Sequence, residues 1–182
     1  MVESGSAIAS PNDRSVPLGT VLMNDYEFEE PAAEDAVAIA ELIAACPPLD
    51  PNSLYCNLLQ STHFARTCVK AVRCGVLDGW VSGYRLPDDP EAMFVWQVAV
   101  HERARGIGLG KSMLDALFKR PALAGARRLI TTVTPSNEAS RAMFAAFARQ
   151  REAAIETRPC FDSERHFAGH HESEELIIIG PF

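Results

Sequence analysis

Apolar and polar residues alternate with two different periods along this chain, and the switches between them outline its elements. Tyr26-Glu27-Phe28-Glu29 alternates with period two, as a short strand does. After Pro31 the period lengthens: Ala36, Ile39, Ala40 and Ile43 stand at i, i+3, i+4 and i+7, one face of an amphipathic helix that Pro47-Pro48 stops. A second helix follows the turn Pro48-Leu49-Asp50-Pro51-Asn52-Ser53, with Leu54, Leu58 and Leu59 expected to face inward. Three strand-like stretches come next, Cys68 to Cys74, Val76 to Leu86 and Met93 to His101. Gly75 and Pro87-Asp88-Asp89-Pro90 separate them as turn signals, so the three read as an antiparallel meander.

The second half alternates element types. A helix from about Gly108 to Arg120 uses Met113, Leu114, Leu117 and Phe118, and a strand from Arg128 to Val133 follows. A helix from Glu138 to Gln150 uses Ala139, Ala142, Met143 and Ala146, and two strands near Ala154 to Cys160 and Glu175 to Ile179 end the chain. The order predicts an α/β (α+β) fold: a central mixed, mostly antiparallel sheet flanked by helices. Residues 1–22 are rich in Ser, Pro, Gly and Asn and lack periodicity, which predicts a flexible N-terminal tail ahead of a single domain over residues 23–182.

Composition narrows the partners. A chain of 182 residues fits one domain, and 47% hydrophobic residues supply a core that needs neither disulfides nor metal. Seventeen basic and 24 acidic residues give a net charge of −7, and only three lysines are present. That balance opposes binding to nucleic acid or an anionic membrane and accommodates a cationic partner more easily. Cys46, Cys56, Cys68, Cys74 and Cys160 are an odd set without CxxC spacing, which suits a reducing compartment. The N-terminus has no apolar signal-peptide core, and no apolar run approaches the ~20 residues of a membrane span, so a cytoplasmic location is expected.

The most informative segment is Val98-Ala99-Val100-His101-Glu102-Arg103-Ala104-Arg105-Gly106-Ile107-Gly108-Leu109-Gly110-Lys111, where a strand feeds a basic, glycine-rich turn that opens a helix. Glycines let backbone N–H groups approach a ligand closely, and a helix N-terminus directs about half a positive charge at the same point. Pyrophosphate binding is the chemistry suited to it. The run Gly106 to Ser112 lacks the GxxxxGK[ST] spacing of a Walker A loop, and the preceding strand belongs to a meander rather than the βαβ unit of a dinucleotide fingerprint. The glycines alone are equally explained by a tight strand-to-helix turn.

The spacing Arg105-x-x-Gly108-x-Gly110 after Val98-Ala99-Val100 resembles the [Q/R]xxGx[G/A] motif of the GNAT superfamily of acetyl-CoA-dependent N-acetyltransferases. Arg103-x-x-Gly106-x-Gly108 fits the same pattern, but the first register keeps the family's separation of five between strand valine and arginine. Thr134-Pro135-Ser136-Asn137, running on to Phe144, is similar to the family's strand-Asn-helix segment beside the cofactor arm. The resemblance spans about residues 25–180 and implies a GNAT-like acyl-CoA N-acyltransferase fold, with acetyl-CoA as co-substrate and no metal. It places the cofactor against Val98, Val100, Arg105, Gly106, Gly108, Gly110, Lys111, Ser136 and Asn137. It also implies that the fourth strand splays from the fifth, leaving backbone groups of Val98 and Val100 for the pantetheine arm. The N–H of Val98 then polarises the thioester carbonyl, and the amine attacks directly, with no covalent enzyme intermediate.

A narrower resemblance lies in Leu49-Asp50-Pro51-Asn52-Ser53-Leu54-Tyr55, continuing to Phe64, in Phe94-Val95-Trp96-Gln97-Val98, and in Thr134 to Asn137. These segments resemble the L-2,4-diaminobutyrate acetyltransferases, which acetylate the 4-amino group of 2,4-diaminobutyrate before ring closure to ectoine. The resemblance implies a small-molecule diamine substrate and a homodimer. Such a substrate needs acids for its ammonium groups and donors for its carboxylate. Asp50, Tyr55, Trp96, His171 and Glu172 are the candidates for binding it, and Val98, Trp96 and Glu172 for catalysis. An amine with a pKa near 10 costs roughly 4 kcal/mol to deprotonate at pH 7, so a base is required, directly or through water.

Each candidate also has a plain structural role available. Asp50 can simply cap the second helix, Trp96 can be core, Tyr55 a surface phenol and Glu172 a solvated acid in Glu172-Ser173-Glu174-Glu175. Cys160, His166, His170 and His171 match no common zinc spacing. Many GNAT enzymes carry a tyrosine seven residues after the asparagine as acid for the leaving thiolate; here Phe144 stands there, and it has no proton to give. Two other readings stay open on sequence alone, a GNAT enzyme for another small amine and a non-catalytic acyl-CoA-binding module.

Overall fold

The computed structural model describes residues 25–182, so the expected N-terminal tail lies outside the described residues. Seven strands form one sheet: β1 (Glu27–Glu29), β2 (Val69–Arg73), β3 (Val76–Leu86), β4 (Asp89–Val100), β5 (Arg128–Val133), β6 (Ile155–Phe161) and β7 (Glu174–Ile179), in the spatial order β1-β2-β3-β4-β5-β7-β6. Every neighbouring pair is antiparallel except β4 and β5. Among the described residues five α-helices accompany it: α1 (Ala36–Ala44), α2 (Leu54–Thr62), α3 (Leu109–Phe118), α4 (Glu138–Gln150) and α5 (Ser163–Phe167). The mixed, mostly antiparallel sheet with flanking helices is the architecture read from the periodicities. The β3–β4 turn is tighter than expected: Leu86 pairs with Asp89, so only Pro87-Asp88 lie outside the strands.

Adjacent residues of a strand face opposite sides, and the sheet divides the core accordingly. Trp80 and Ala99 bury against Ile39, Leu42 and Ile43 of α1, while Val81 and Val95 bury against Met113, Leu114 and Leu117 of α3 and Phe144 and Phe147 of α4. Two expected helix faces are corrected. In α2 the buried residues are Asn57, Gln60 and Ser61, while Leu54 is 48% exposed and Leu58 and Leu59 are half-buried. Ser53 is the N-cap, its hydroxyl accepting from Cys56 N at 3.1 Å, and the helix begun there turns its amide-bearing side inward. Asp50 is therefore not the cap. In α4 the core side is Phe144, Phe147 and Ala148; Ala139 and Ala142 are exposed.

Strand β4 carries the irregularity that shapes the site. Gln97 pairs with Ser82 and Val95 with Gly83, so Trp96 is an extra residue, a bulge. The bulge reverses the alternation: Met93 and Val95 face α3 before it, and Val98 and Val100 pack toward the same side after it. On its other edge β4 pairs with β5 only through Ala92, Met93 and Phe94. Thr131 of β5 then donates its hydroxyl to the Val95 carbonyl at 2.9 Å, and beyond that bond the two strands part.

Candidate active site

Between β4 and α3 the chain makes a 3-10 turn, Glu102–Ala104, and then the glycine turn. Gly106 and Gly108 both have φ of +81°, left-handed backbone that glycine adopts without penalty, and Gly108 is the N-cap of α3. Gly110 serves close packing instead, since a Cβ there would lie 2.5 Å from Met143 Sδ. The turn borders a cavity of about 390 Å³ lined by Val98, Val100, Arg105, Gly106, Gly108, Gly110, Lys111 and Asn137, with Met143 and Ala146 as apolar wall. Arg105 donates from Nε to the Val100 carbonyl at 3.0 Å, and Cys46 Sγ donates to the same oxygen at 3.3 Å. The Val100 carbonyl is thus taken by the protein, whereas Val98 keeps an edge that no β5 residue pairs. Lys111 bonds Gln150.

Arg103 has a different task. Its Nε lies 2.5 Å from Oδ1 of Asp78, a fully buried carboxylate that also accepts from Tyr26 Oη at 2.8 Å. Burial, together with that carboxylate, pushes the Tyr26 phenol above its ordinary pKa. Arg103 therefore anchors the turn to the sheet, and of the two motif registers the one that starts at Arg105 faces the cavity.

A second cavity, about 940 Å³, lies at the β4–β5 fork, lined by Phe94 to Val98 of β4 and Thr131 to Val133 of β5. Asp50, Trp96, His171 and Glu172 all line it, drawn from the α1–α2 loop, the bulge and the α5–β7 loop. His171 Nε2 lies 3.3 Å from Asp50 Oδ2, and its Nδ1 is 2.7 Å from the Glu172 carbonyl oxygen. Glu172 Oε1 accepts from Ser136 Oγ at 2.9 Å. Trp96 is 49% exposed, so it is not core; the bulge holds its indole at the cavity.

Two expected placements change. Ser136 lines the larger cavity rather than the glycine-turn cavity, because its hydroxyl turns to Glu172. Tyr55 is 69% exposed and lines neither cavity; it lies two residues before Asn57, about 200° round the helix from that buried residue. The two cavities share Pro48, Leu49, Val98, Asn137 and Ser140, so they communicate at Val98, where the bulge meets the first turn of α4. Asn137 caps that turn, its Oδ1 accepting from Ser140 N at 3.1 Å. Phe144, at the position of the expected tyrosine, is buried and lines the larger cavity without a polar atom.

Several lining residues escaped sequence reasoning, among them Asn52, Gln97, Ser140 and Arg165. Arg165 and His166 sit on α5, whose N-cap Asp162 accepts from Glu164 N and Arg165 N at 3.0 and 2.8 Å. Asp162-Ser163-Glu164 is a helix-start signal in the sequence; the helix is too short to show a period.

Residues 36–148 match the model of the acetyltransferase (GNAT) family. The L-2,4-diaminobutyric acid acetyltransferase of Methylotuvimicrobium alcaliphilum is 46% identical over 94% of this chain and 96% of its own length. The chain belongs to the L-2,4-diaminobutyric acid acetyltransferases. The member from Bordetella parapertussis is 47% identical over 86% of this chain and 85% of its own. The solved diaminobutyrate acetyltransferase of Paenibacillus lautus, in complex with L-2,4-diaminobutyric acid and coenzyme A, superposes with a TM-score of 0.83 at 38% identity, covering 86% of this chain and 95% of that one. For a diaminobutyrate acetyltransferase, two communicating cavities are the natural plan, because an acyl donor and an amine must meet without sharing a subsite. Among the described residues there is no cluster of three metal-ligating side chains, and no helix is long and apolar enough to cross a membrane.

Proposed function

We propose that this protein transfers the acetyl group of acetyl-CoA to the 4-amino group of L-2,4-diaminobutyrate, giving N4-acetyl-L-2,4-diaminobutyrate in ectoine biosynthesis. The observation that carries this reading is the meeting of the two cavities at Val98, one bordered by the glycine turn, the other holding Asp50, Trp96 and Glu172. The smaller cavity suits the cofactor: left-handed glycines at the phosphate end, Arg105 and Lys111 for charge, and Met143 and Ala146 beside the pantetheine arm. Acetyl-CoA supplies an activated thioester. Val98 N–H, on the edge of β4 that β5 leaves open, is the donor for the thioester oxygen as it becomes an oxyanion.

In the larger cavity the substrate's ammonium groups meet the carboxylates of Asp50 and Glu172, and the Trp96 indole shields the reacting carbon from water. Glu172 is the base for the reacting amine, directly or through water, with Ser136 fixing its carboxylate. Glu172 takes the first proton from the ammonium and passes it to solvent; the freed amine nitrogen bonds to the acyl carbon, the C–S bond breaks with its electrons going to sulfur, and the second nitrogen proton leaves through Glu172 in turn. Phe144 donates no proton, and a thiolate whose thiol pKa is about 8.5 is an acceptable leaving group without one. The whole of residues 23–182 acts as one acetyltransferase domain, as a cytoplasmic homodimer, which light scattering of the purified protein tests.

Purified protein supplied with acetyl-CoA and a thiol-trapping reagent should release thiol when diaminobutyrate is added. Release with other amines only, or none at all, overturns the reading. Trp96→Ala should raise KM for diaminobutyrate more than KM for acetyl-CoA; an unchanged amine KM removes the indole from the substrate site.

A further inference from the structure

Gln97 follows the bulge residue Trp96 and precedes Val98, so it sits in the chain between the residue that walls the amine cavity and the residue shared by both cavities. Its side chain is buried, 8% exposed. Both ends of the amide are used: Oε1 accepts from Asn52 Nδ2 at 2.8 Å, and Nε2 donates to the Asp50 carbonyl at 2.9 Å. One side chain therefore grips the α1–α2 loop at two residues, on either side of Pro51.

Leu49 packs on the cluster of Ile39, Ile43 and Trp80, but the backbone of that loop has few hydrogen bonds. Pro47, Pro48 and Pro51 have no N–H to donate. Among the described residues, the backbone–backbone hydrogen bond made by residues 47–52 is Leu49 N to Cys46 O, at 3.1 Å. Yet the loop carries Asp50, whose carboxylate projects to His171, and Pro48 and Leu49, which line both cavities. A proline-rich loop without ladder bonds keeps a carboxylate in register only if something fixes its backbone.

We infer that Gln97, acting with Asn52, is a positioning residue for the diamine site: its amide locks the Asp50 backbone to the β4 bulge and so sets the distance between the amine-binding carboxylate and the Val98 N–H. The inference rests on the diaminobutyrate reading of that cavity. It assigns the amide no contact with substrate. Its effect passes through Asp50 and Asn52, the end of the loop that lines only the larger cavity, so it bears on the amine more than on the cofactor, whose turn is anchored separately by Arg103 on Asp78.

The test uses Gln97→Met, which keeps the volume and removes both hydrogen bonds, Asn52→Ala at the half-exposed end, and the double variant. Misplacing a binding group by an ångström costs up to about a hundredfold. Gln97→Met should accordingly raise KM for diaminobutyrate about tenfold or more, with KM for acetyl-CoA within about twofold of wild type. Asn52→Ala should raise the diaminobutyrate KM less, and adding it to Gln97→Met should change nothing further, because Asn52 acts through the amide. Should Gln97→Met fail to fold, Asn52→Ala decides by the same split between the two KM values. A diaminobutyrate KM unchanged in both variants, an equal rise in both KM values, or fully additive effects overturn the clamp while the wild type still acetylates diaminobutyrate. A wild type that does not acetylate it overturns the reading on which the clamp rests.

Discussion

Gly108 and Gly110 stand two apart in the same turn and fail for different reasons when substituted. A Cβ on Gly108 meets no protein atom within 4 Å, so in the free protein Gly108→Ala costs only the strain of its φ of +81°, about 1–2 kcal/mol. A Cβ on Gly110 collides with Met143 Sδ, and the thioether has the cofactor cavity to swing into. Overpacking costs about 1–3 kcal/mol, and expressed in cofactor binding that is about five- to a hundredfold. Gly108→Ala should therefore lower Tm by several degrees, whereas Gly110→Ala should raise KM for acetyl-CoA with a smaller change in Tm; thermal melts and steady-state kinetics on both variants check the ranking. Cys68 makes a pH prediction at the same scale. Burial pushes its thiol from 9.0 up to about 12, outweighing the nearby Arg120 charge. The unfolded chain loses this proton above pH 9 while the folded chain keeps it to about 12. Stability from this group is thus complete below pH 9 and falls as pH rises through that window, by about 4 kcal/mol if the whole shift is expressed. Urea midpoints at pH 8 and pH 10.5 should show a smaller alkaline loss in Cys68→Ala than in the wild type.

The β4–β5 fork is a property of two strands, and Thr131 marks its vertex. Thr131→Val keeps the shape but leaves the Val95 carbonyl without its donor in a buried place, a loss of about 1–3 kcal/mol. Thr131→Ser keeps the donor. The valine variant should lose both Tm and kcat because the edge presenting Val98 N–H shifts, and the serine variant should stay near wild type; a fully active Thr131→Val would detach the hydroxyl from the fork. Elements of this kind differ in how far the chain announces them. The ranges of β5 and α4 were legible because Pro135 and the Asn137 cap bound them sharply. The inward face of α2 was not, since the leucines and the amides each fit a helical period and hydrophobicity favours the leucines, whereas tertiary packing buried Asn57, Gln60 and Ser61. In α4 the apolar pattern serves two purposes: Phe144 and Phe147 fill the core, while Ala139, Met143 and Ala146 line the cofactor cavity. Apolar residues kept for a ligand look like core residues until the fold separates them. Asp50, Trp96 and Glu172 could be picked out of the sequence by residue type, and the fold brings all three to one cavity; the Gln97 amide, which depends on a loop brought to a bulge, could not.

At the scale of the molecule, the two cavities meet at one strand, where Val98 of β4 lines both. The larger cavity is closed by Asp50 from the first half of the chain and by His171 and Glu172 from near its C-terminus, 3.3 Å apart at the Asp50–His171 pair. The smaller cavity draws on the α1–α2 loop, the glycine turn and α4. A ligand that joins segments this far apart in sequence binds the folded chain and not the unfolded one, so it must raise the melting temperature. At 100 times its Kd, CoA stabilises by about 2.7 kcal/mol, which for a chain of this size is about 5–10 °C. Diaminobutyrate should give its own shift. If the cavities are separate subsites joined along the few residues they share at Val98, Gly110→Ala should reduce the CoA shift and leave the diaminobutyrate shift intact, and Trp96→Ala should do the reverse. Differential scanning fluorimetry of the two variants with each ligand tests this division. Loss of both shifts in either variant would mean that the bulge and the glycine turn form one coupled site, and that Val98 does more than mark where two cavities touch.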